Sequence, residues 1–209
     1  ANAADGNGFG DFYYTPPSGF LAPCSANVPT ATGIDPAETD DDHPVKLHNT
    51  IVYTGNGGTN SITGLGFQPD LVWIKGQSNT ESPSLYDSSR GVQKRLKTGE
   101  SEAQSTVTNG FTAFGTDGFT VGAATENNAN TATYIAWCWR CGGGTTSTNT
   151  SGTITSTVQA NDNTGLSIVT YDGDGTQGAT IGHGLSSAPD MVWTKNFQDA
   201  TVSGLAMDW

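Results

Sequence analysis

The sequence predicts an all-β protein built from tandem antiparallel β-sandwich-like repeats, and four observations support this prediction. Thr, Ser, Asn and Gly dominate the uncharged polar residues, with 28 Gly in total, and these types favour pleated strands and tight turns. Only 13% of the 209 residues are charged, about half of the ~25% found in typical domains. No stretch shows the three-and-four spacing of an amphipathic helix. The fourth observation is an internal repeat.

One sequence motif occurs twice in the chain. Residues 64–75 (GLGFQPDLVWIK) align without gaps on residues 184–195 (GLSSAPDMVWTK). Upstream, residues 51–57 match residues 168–175, with extra residues in the second copy. Matches of this density indicate a true structural repeat. The recurring positions predict the core and the turn of each copy, namely Pro69, Asp70 and Trp73 in the first and Pro189, Asp190 and Trp193 in the second.

Each copy has the same predicted order of strands. A β-branched run with Tyr at its end predicts a strand, and the Gly, Asn and Asp residues after it predict a turn. A brief strand follows, at residues 61–63 in the first copy and 179–181 in the second. Residues 71–75 then predict a strand with Leu71 and Trp73 on one face and Val72 and Ile74 on the other. Because both faces are apolar, we expect this strand to be packed on two sides.

The rest of the first copy predicts a hairpin, a loop and a final strand. The hairpin combines residues 111–114 with 118–122, the loop covers 127–130 and the strand covers 133–139. Residues 85–96 are expected to hold a helical turn, where Asp87 and Arg90 form a surface ion pair worth about 0–1 kcal/mol. Residues 142–144 are expected to open a flexible linker.

The second copy is expected to be incomplete in this chain, because it stops about a third of the way through its expected length. Half a sandwich cannot bury its own apolar face. Residues 167–209 are therefore expected to pair with the first copy, with another subunit or with sequence beyond the chain.

Charge and hydropathy argue against two classes of partner. The formal net charge is −12, whereas nucleic-acid binding needs clustered Lys and Arg against the phosphates. No apolar run approaches the ~18–20 residues that span a bilayer. We therefore expect neither nucleic-acid binding nor membrane insertion.

Cys138 and Cys141 form a C-x-x-C pattern, which suggests a redox pair or half of a zinc site. Residues three apart in an extended strand point to opposite faces, so no disulfide is expected between them. A zinc site would need two more ligands, and the chain offers only Cys24, His43, His48 and His183. We expect Cys138 to be a buried core residue and predict no cofactor.

The acidic residues offer further candidate sites, each with a plainer interpretation. Asp172 and Asp174 lie on a Gly-rich turn that suits calcium, but Asp-Gly also favours a hairpin turn and the EF-hand spacing fails. The run at residues 40–43 is more typical of a solvated linker than of a metal site. His183 lies in a predicted turn, and spacing alone pairs none of the carboxylates of Glu81, Asp87, Glu100 and Glu102. We predict no catalytic or metal residues, and so no enzyme.

Four segments together resemble a repeat found in large virion proteins of marine tailed phages: residues 64–75, 85–91, 117–121 and 134–139. Residues 5–24 resemble the end of a preceding SPRY-like (concanavalin-type) sandwich. The resemblance implies a particle component such as a fibre, a tail appendage or a capsid-surface protein, located in the virion or outside the cell. Cys141 departs from the pattern, which has a small or polar residue there.

These observations predict five segments. Residues 1–30 end an upstream SPRY-like sandwich, 31–48 form an acidic linker, and 49–141 form the first β repeat. Residues 142–152 are a Gly/Thr/Ser linker, and 153–209 begin the second β repeat.

The predicted function is that of a non-enzymatic virion structural protein. It would bind other virion proteins and form homo-oligomers through the unpaired edges of its repeats. The alternative is a lectin-like adhesin that binds a host-surface glycan, with Tyr13 and Tyr14 as candidate contact residues. A hydrolase, the third hypothesis, predicts a cleft of convergent carboxylates in residues 80–105.

Overall fold

The computed structural model describes residues 3–24, 27, 44–199 and 205–208. The chain divides into two compact units, Ala1–Asp40 and Asp41–Trp209. The acidic run at 40–43, and with it most of the predicted acidic linker, lies outside the described residues.

The described part of the first unit is irregular and is organised around one carboxylate. Ala3 and Phe12 form an isolated antiparallel bridge. Between them, Asp5 Oδ1 accepts hydrogen bonds from the backbone amides of Asn7 and Phe9, both at 2.9 Å. Asp5 Oδ2 accepts from the amide of Ala22 at 2.7 Å and from the side chain of Asn27 at 2.6 Å. The pKa of Asp5 is lowered to about 2, chiefly because the Ala22 amide stabilises the charged carboxylate.

The second unit is all-β, as predicted. Its elements in chain order are α1 (Pro44–Leu47), β1 (His48–Thr54), β2 (Asn60–Thr63), β3 (Leu71–Gly76), β4 (Ser84–Asp87), β5 (Lys94–Lys97), β6 (Ser105–Thr106), β7 (Phe111–Gly115), β8 (Gly118–Val121), α2 (Thr125–Asn128), β9 (Thr133–Trp139), β10 (Ser147–Asn149), β11 (Ser156–Asn161), β12 (Leu166–Tyr171), β13 (Val192–Thr194) and β14 (Ala206–Asp208).

The first copy of the repeat folds as a β-sandwich. A six-stranded antiparallel sheet, in the order β1-β9-β3-β4-β5-β6, packs on a three-stranded sheet in the order β2-β8-β7. The core between the sheets combines Tyr86, Tyr134 and Ile74 of the large sheet with Phe119 and Val121 of the small one. Burial in this core raises the pKa of Tyr86 to about 12.

Strand β3 has the two apolar faces that the sequence predicts. Val72 and Ile74 point into the sandwich core and are 0% and 1% exposed. Leu71 and Trp73 lie on the opposite face, which we call the outer face of the six-stranded sheet, in a second apolar cluster. The predicted hairpin at β7 and β8 and the predicted final strand β9 are also present.

The second copy packs against this outer face. Its strands form two separate sheets, β10-β11-β12 and β13-β14. Leu166, Ile168, Trp193 and Phe197 all contact the apolar cluster of the outer face. Three partners were expected for residues 167–209, and the structure shows that this segment contacts one of them, the first copy of the repeat.

The predicted strand at residues 179–181 is wrong. Only an isolated parallel bridge joins Ile181 to Ile154. Its first-copy counterpart, β2, is a strand because it pairs with β8. Within the described residues, the second copy has no hairpin like β7–β8 that could pair with this segment.

Two other local expectations are corrected and a third is confirmed. Residues 85–96 hold a single helical turn, closed by a hydrogen bond from the Gly91 amide to the Asp87 carbonyl, and this turn connects β4 to β5, which pair with Leu85 opposite Leu96. The predicted loop at 127–130 begins inside the short helix α2. The predicted flexible linker at 142–152 contains β10, which pairs with β11.

Candidate functional site

The junction between the two copies contains an extended network of buried hydrogen bonds. Four successive backbone amides alternate between two buried side chains. The amides of Cys141 and Gly143 donate to Asp70 Oδ2 at 2.7 and 3.0 Å. The amides of Gly142 and Gly144 donate to Gln159 Oε1 at 3.0 and 2.7 Å. The segment that was expected to open a flexible linker is therefore fixed at every residue.

Two serines complete this polar junction. Ser88 Oγ donates to Asp70 Oδ1 at 2.7 Å. The Gln159 amide donates to Ser88 Oγ at 2.9 Å and to Ser89 Oγ at 2.8 Å. Asp70 and Gln159 are 0% and 1% exposed, so their polar atoms depend on these partners. Gln159 lies on β11, and it therefore ties the second copy to the β4–β5 turn of the first.

An aromatic cluster lies beside the polar junction on the outer face. Trp193 of β13 makes edge-to-face contacts with Trp73 and Trp139, with ring centroids 5.7 and 6.0 Å apart. Trp73 also contacts Trp137 at 5.4 Å, and its indole N–H donates to Thr98 Oγ1 at 3.1 Å. The tryptophans at the same position of each copy thus pack against one another. Such edge-to-face pairs are each worth about 0.5–1.5 kcal/mol beyond area burial.

The two copies place their repeated Pro-Asp pair in different environments. Pro69 and Asp70 are buried in the first copy. Pro189 and Asp190 are exposed in the second. An identical motif therefore acts as a buried anchor in one copy and lies at the surface in the other.

The cysteines, all of them among the described residues, are free thiols. Cys138 is fully buried in the sandwich core. Cys141 lies outside it, and its thiol contacts the carbonyl oxygens of Gln159 and Leu166, both at 3.3 Å. Burial raises the pKa of each of these two thiols to about 12. Both stay protonated at neutral pH, so neither is an activated nucleophile.

Three of the four carboxylates of residues 80–105, those of Asp87, Glu100 and Glu102, form ion pairs. Asp87 accepts from Arg90 Nε at 2.5 Å, and the two side chains are only 5% and 8% exposed. This pair was expected at the surface, and it is instead buried. Glu100 and Glu102 both contact Lys97, at 3.1 and 3.2 Å. The Ser82 hydroxyl and the Lys97 ammonium lower the pKa of Glu100.

The remaining candidate ligands are dispersed. Asp172 Oδ1 accepts from the Gln198 side chain, and Asp174 Oδ1 accepts from the Thr176 amide, both at 2.8 Å. His183 Nδ1 accepts from the Leu185 amide at 3.1 Å. Within the described residues, no three His, Cys, Asp or Glu side chains are grouped so that they could hold a metal ion. The described helices include none with the length and apolar character to cross a membrane.

Tyr13 and Tyr14 lie in the first unit and are 83% and 79% exposed. Their rings meet edge to face with centroids 4.8 Å apart. Tyr14 also lines an open apolar groove with Pro17, Phe20 and Leu21. The aromatic surface that the sequence suggested as a contact region is thus accessible within its own unit.

A family model described as a domain of unknown function, DUF7483, matches residues 43–207. The chain belongs to this family. The DUF7483 match contains both copies of the repeat and the whole junction between them, and it leaves out Tyr13 and Tyr14. No curated protein and no solved structure matches the chain.

Within the DUF7483 region, sequence reasoning found Asp70 but missed Gln159 and Ser88. The repeat singled out Asp70 because Asp recurs at position 190. Gln159 has no such signal, since a single Gln on a β-strand is most often a solvent-facing residue. Only the contact between segments 71 residues apart shows its role.

Proposed function

We propose that this DUF7483 chain is a non-enzymatic structural component of a virion. It acts through assembly as part of a fibre, a tail appendage or the capsid surface, and it lies in the virion or outside the cell. Its partners are other virion proteins and further copies of itself. The resemblance of its repeat to those of phage virion proteins supports the location.

The observation that carries the proposal is the contact between the two copies of the repeat. Trp193 of the second copy packs on Trp73 and Trp139 of the first. A repeat that stacks on its neighbour through a recurring aromatic residue is suited to building extended arrays. The polar groups around it support the same conclusion, because Asp70 and Gln159 use their polar atoms to bind the amides of residues 141–144 and the hydroxyls of Ser88 and Ser89 across the junction.

The experiment that tests this proposal is quantitative mass spectrometry on purified particles, combined with cryo-electron microscopy of the same sample. We expect peptides from residues 49–140 at a fixed stoichiometry, together with density for the sandwich on the head or the tail. Peptides that are abundant in the medium but missing from particles would overturn the virion assignment.

A lectin-like adhesin is the second candidate function, and one observation favours it. Tyr13 and Tyr14 present exposed rings, and aromatic faces of this kind stack on sugars. A glycan array would test it with a Tyr13→Ala/Tyr14→Ala variant. The matched control is Tyr171→Ala, which removes a tyrosine that is 40% exposed in the second unit. Glycan binding that only the double variant abolishes would favour the adhesin.

A further inference from the structure

Strand β1 forms one edge of the six-stranded sheet, and the hydrogen bonds at its two ends show which backbone groups face outward. The carbonyl of Leu47 accepts from the Arg140 amide, and the amide of Gly55 donates to the carbonyl of Ala132. Odd-numbered residues therefore direct their backbone groups towards β9. Because these groups alternate along a strand, the backbone groups of Thr50, Val52 and Thr54 point away from β9. Within the described residues, β1 pairs with β9 alone.

Two asparagine side chains occupy the ends of this outward edge. Asn49 Oδ1 accepts from the Thr50 amide at 2.8 Å. Asn60 Nδ2 donates to the Thr54 carbonyl at 3.1 Å. As far as the described residues show, four outward groups remain between them: the carbonyl of Thr50, the amide and carbonyl of Val52, and the amide of Thr54.

These four groups are complementary to themselves under a two-fold rotation. When two β1 strands run antiparallel with the axis at Val52, each Val52 amide faces the Val52 carbonyl of the other strand. Each Thr54 amide then faces a Thr50 carbonyl. All eight open groups of the two strands are used in four hydrogen bonds. The same register places each Thr50 amide opposite a Thr54 carbonyl of the other strand, and these are the groups that Asn49 and Asn60 already bind.

We propose that β1 is a homotypic assembly edge, at which a second copy of this chain adds its own β1 antiparallel about a two-fold axis at Val52. This inference deepens the assembly role proposed above and rests on it. The product is a continuous sheet across a symmetric dimer.

Charge and exposure favour this edge for assembly. Strand β1 (HNTIVYT) contains no Asp, Glu, Lys or Arg, although the chain carries a net charge of −12. Proteins usually protect edge strands with charges, prolines or bulges. The opposite edge, β6, has only two residues. Val52 is 58% exposed at the centre of β1, and Val52 is opposite Ile135 of β9, so the uncharged surface continues onto the neighbouring strand.

Sedimentation equilibrium of the 209-residue chain tests the proposal. We expect a monomer–dimer equilibrium that Val52→Lys shifts to monomer. The dissociation constant should rise at least about tenfold, because two ammonium groups would face each other across an axis with Cα atoms about 5.5 Å apart. The matched control is Val92→Lys, since Val92 is 38% exposed in the turn between β4 and β5, and it should leave the dimer intact.

A second variant tests the backbone geometry directly. Val52→Pro removes an amide that faces away from β9, so the β9 ladder is kept while two of the four intersubunit hydrogen bonds are lost. Circular dichroism establishes that each variant is folded. In the unmodified chain, hydrogen exchange at the Val52 and Thr54 amides should slow as protein concentration rises.

A chain that stays monomeric, or a dimer that survives both Val52 substitutions, would overturn the edge proposal. The proposed function fails separately. Particles that contain the protein together with a monomeric chain would refute only the edge. A dimer that depends on Val52, combined with particles that lack the protein, would refute only the virion role.

Discussion

Replacing Gln159 with leucine should destabilise the second unit strongly, although the change keeps the volume of the side chain. Gln159 Oε1 accepts from the amides of Gly142 and Gly144, and its amide donates to Ser88 and Ser89. Leucine makes none of these four bonds. A neutral hydrogen bond contributes about 1 kcal/mol, and unpaired amides cost as much again or more, so we expect a loss of about 2–4 kcal/mol.

Urea unfolding at 25 °C, followed by tryptophan fluorescence, measures this loss. Trp73, Trp139 and Trp193 lie beside the hydrogen bonds of Gln159, so their fluorescence reports the unfolding of the second unit. The control is Gln198→Leu, at an exposed residue whose single side-chain bond goes to Asp172. It should change the free energy of unfolding by no more than about 0.5 kcal/mol.

Equal free energies of unfolding for the two leucine variants would refute the reasoning. Such a result would mean that the amides of residues 142–144 gain nothing from Gln159, and that this segment is the flexible linker that its glycines predict. Hydrogen exchange gives an independent reading, because the Gly144 amide should be protected in the unmodified chain and should exchange faster in Gln159→Leu.

Three further predictions concern other parts of the chain. Trp193→Ala should lower the free energy of unfolding by about 2–3 kcal/mol in the same urea experiment, less than for a fully buried tryptophan because Trp193 is half-buried. Folding lowers the pKa of Asp5 from 3.8 to about 2. The charged carboxylate therefore stabilises the first unit above pH 3.8, and this stabilisation is lost as the pH falls towards 2. Asp5→Asn should remove this pH dependence of stability, as measured by an acid titration followed by NMR. Ellman's reagent at pH 8 should label Cys24 in the native chain, and Cys138 and Cys141 only after unfolding.

The sequence predicted the first copy well because its elements follow local rules. Alternating apolar residues identified β3 and assigned Leu71 and Trp73 to one face, and the runs at residues 111–114 and 118–122 located the hairpin of β7 and β8. These signals depend on neighbours within a few residues. The polar junction could not be found in this way, because it joins Asp70, Gly143 and Gln159, which are far apart in the chain.

The repeat gives wrong predictions for the second copy where the surroundings of a segment decide its structure. Ile51 packs against the sandwich core, whereas Ile168, its counterpart, packs on the outer face of the first copy. In the described part of the chain no strand pairs with residues 179–181, which remain irregular apart from the bridge between Ile181 and Ile154. A shared motif predicts shared local shape, but strand pairing and burial depend on partners that the motif does not contain.

The six-stranded sheet thus has two halves with different roles. The second copy contacts it over β3, β4, β5 and the end of β9, through Leu71, Leu85, Leu96 and Trp139, whereas β1 at one edge keeps outward backbone groups and an exposed Val52. Contacts within the chain and contacts between chains therefore use separate surfaces. Substitutions at distant sites that share no partners have additive effects on the free energy. It follows that Val52→Lys should shift the dimer equilibrium without changing the free energy of unfolding of the monomer, while Gln159→Leu should lower that free energy and leave the equilibrium of the folded chains unchanged.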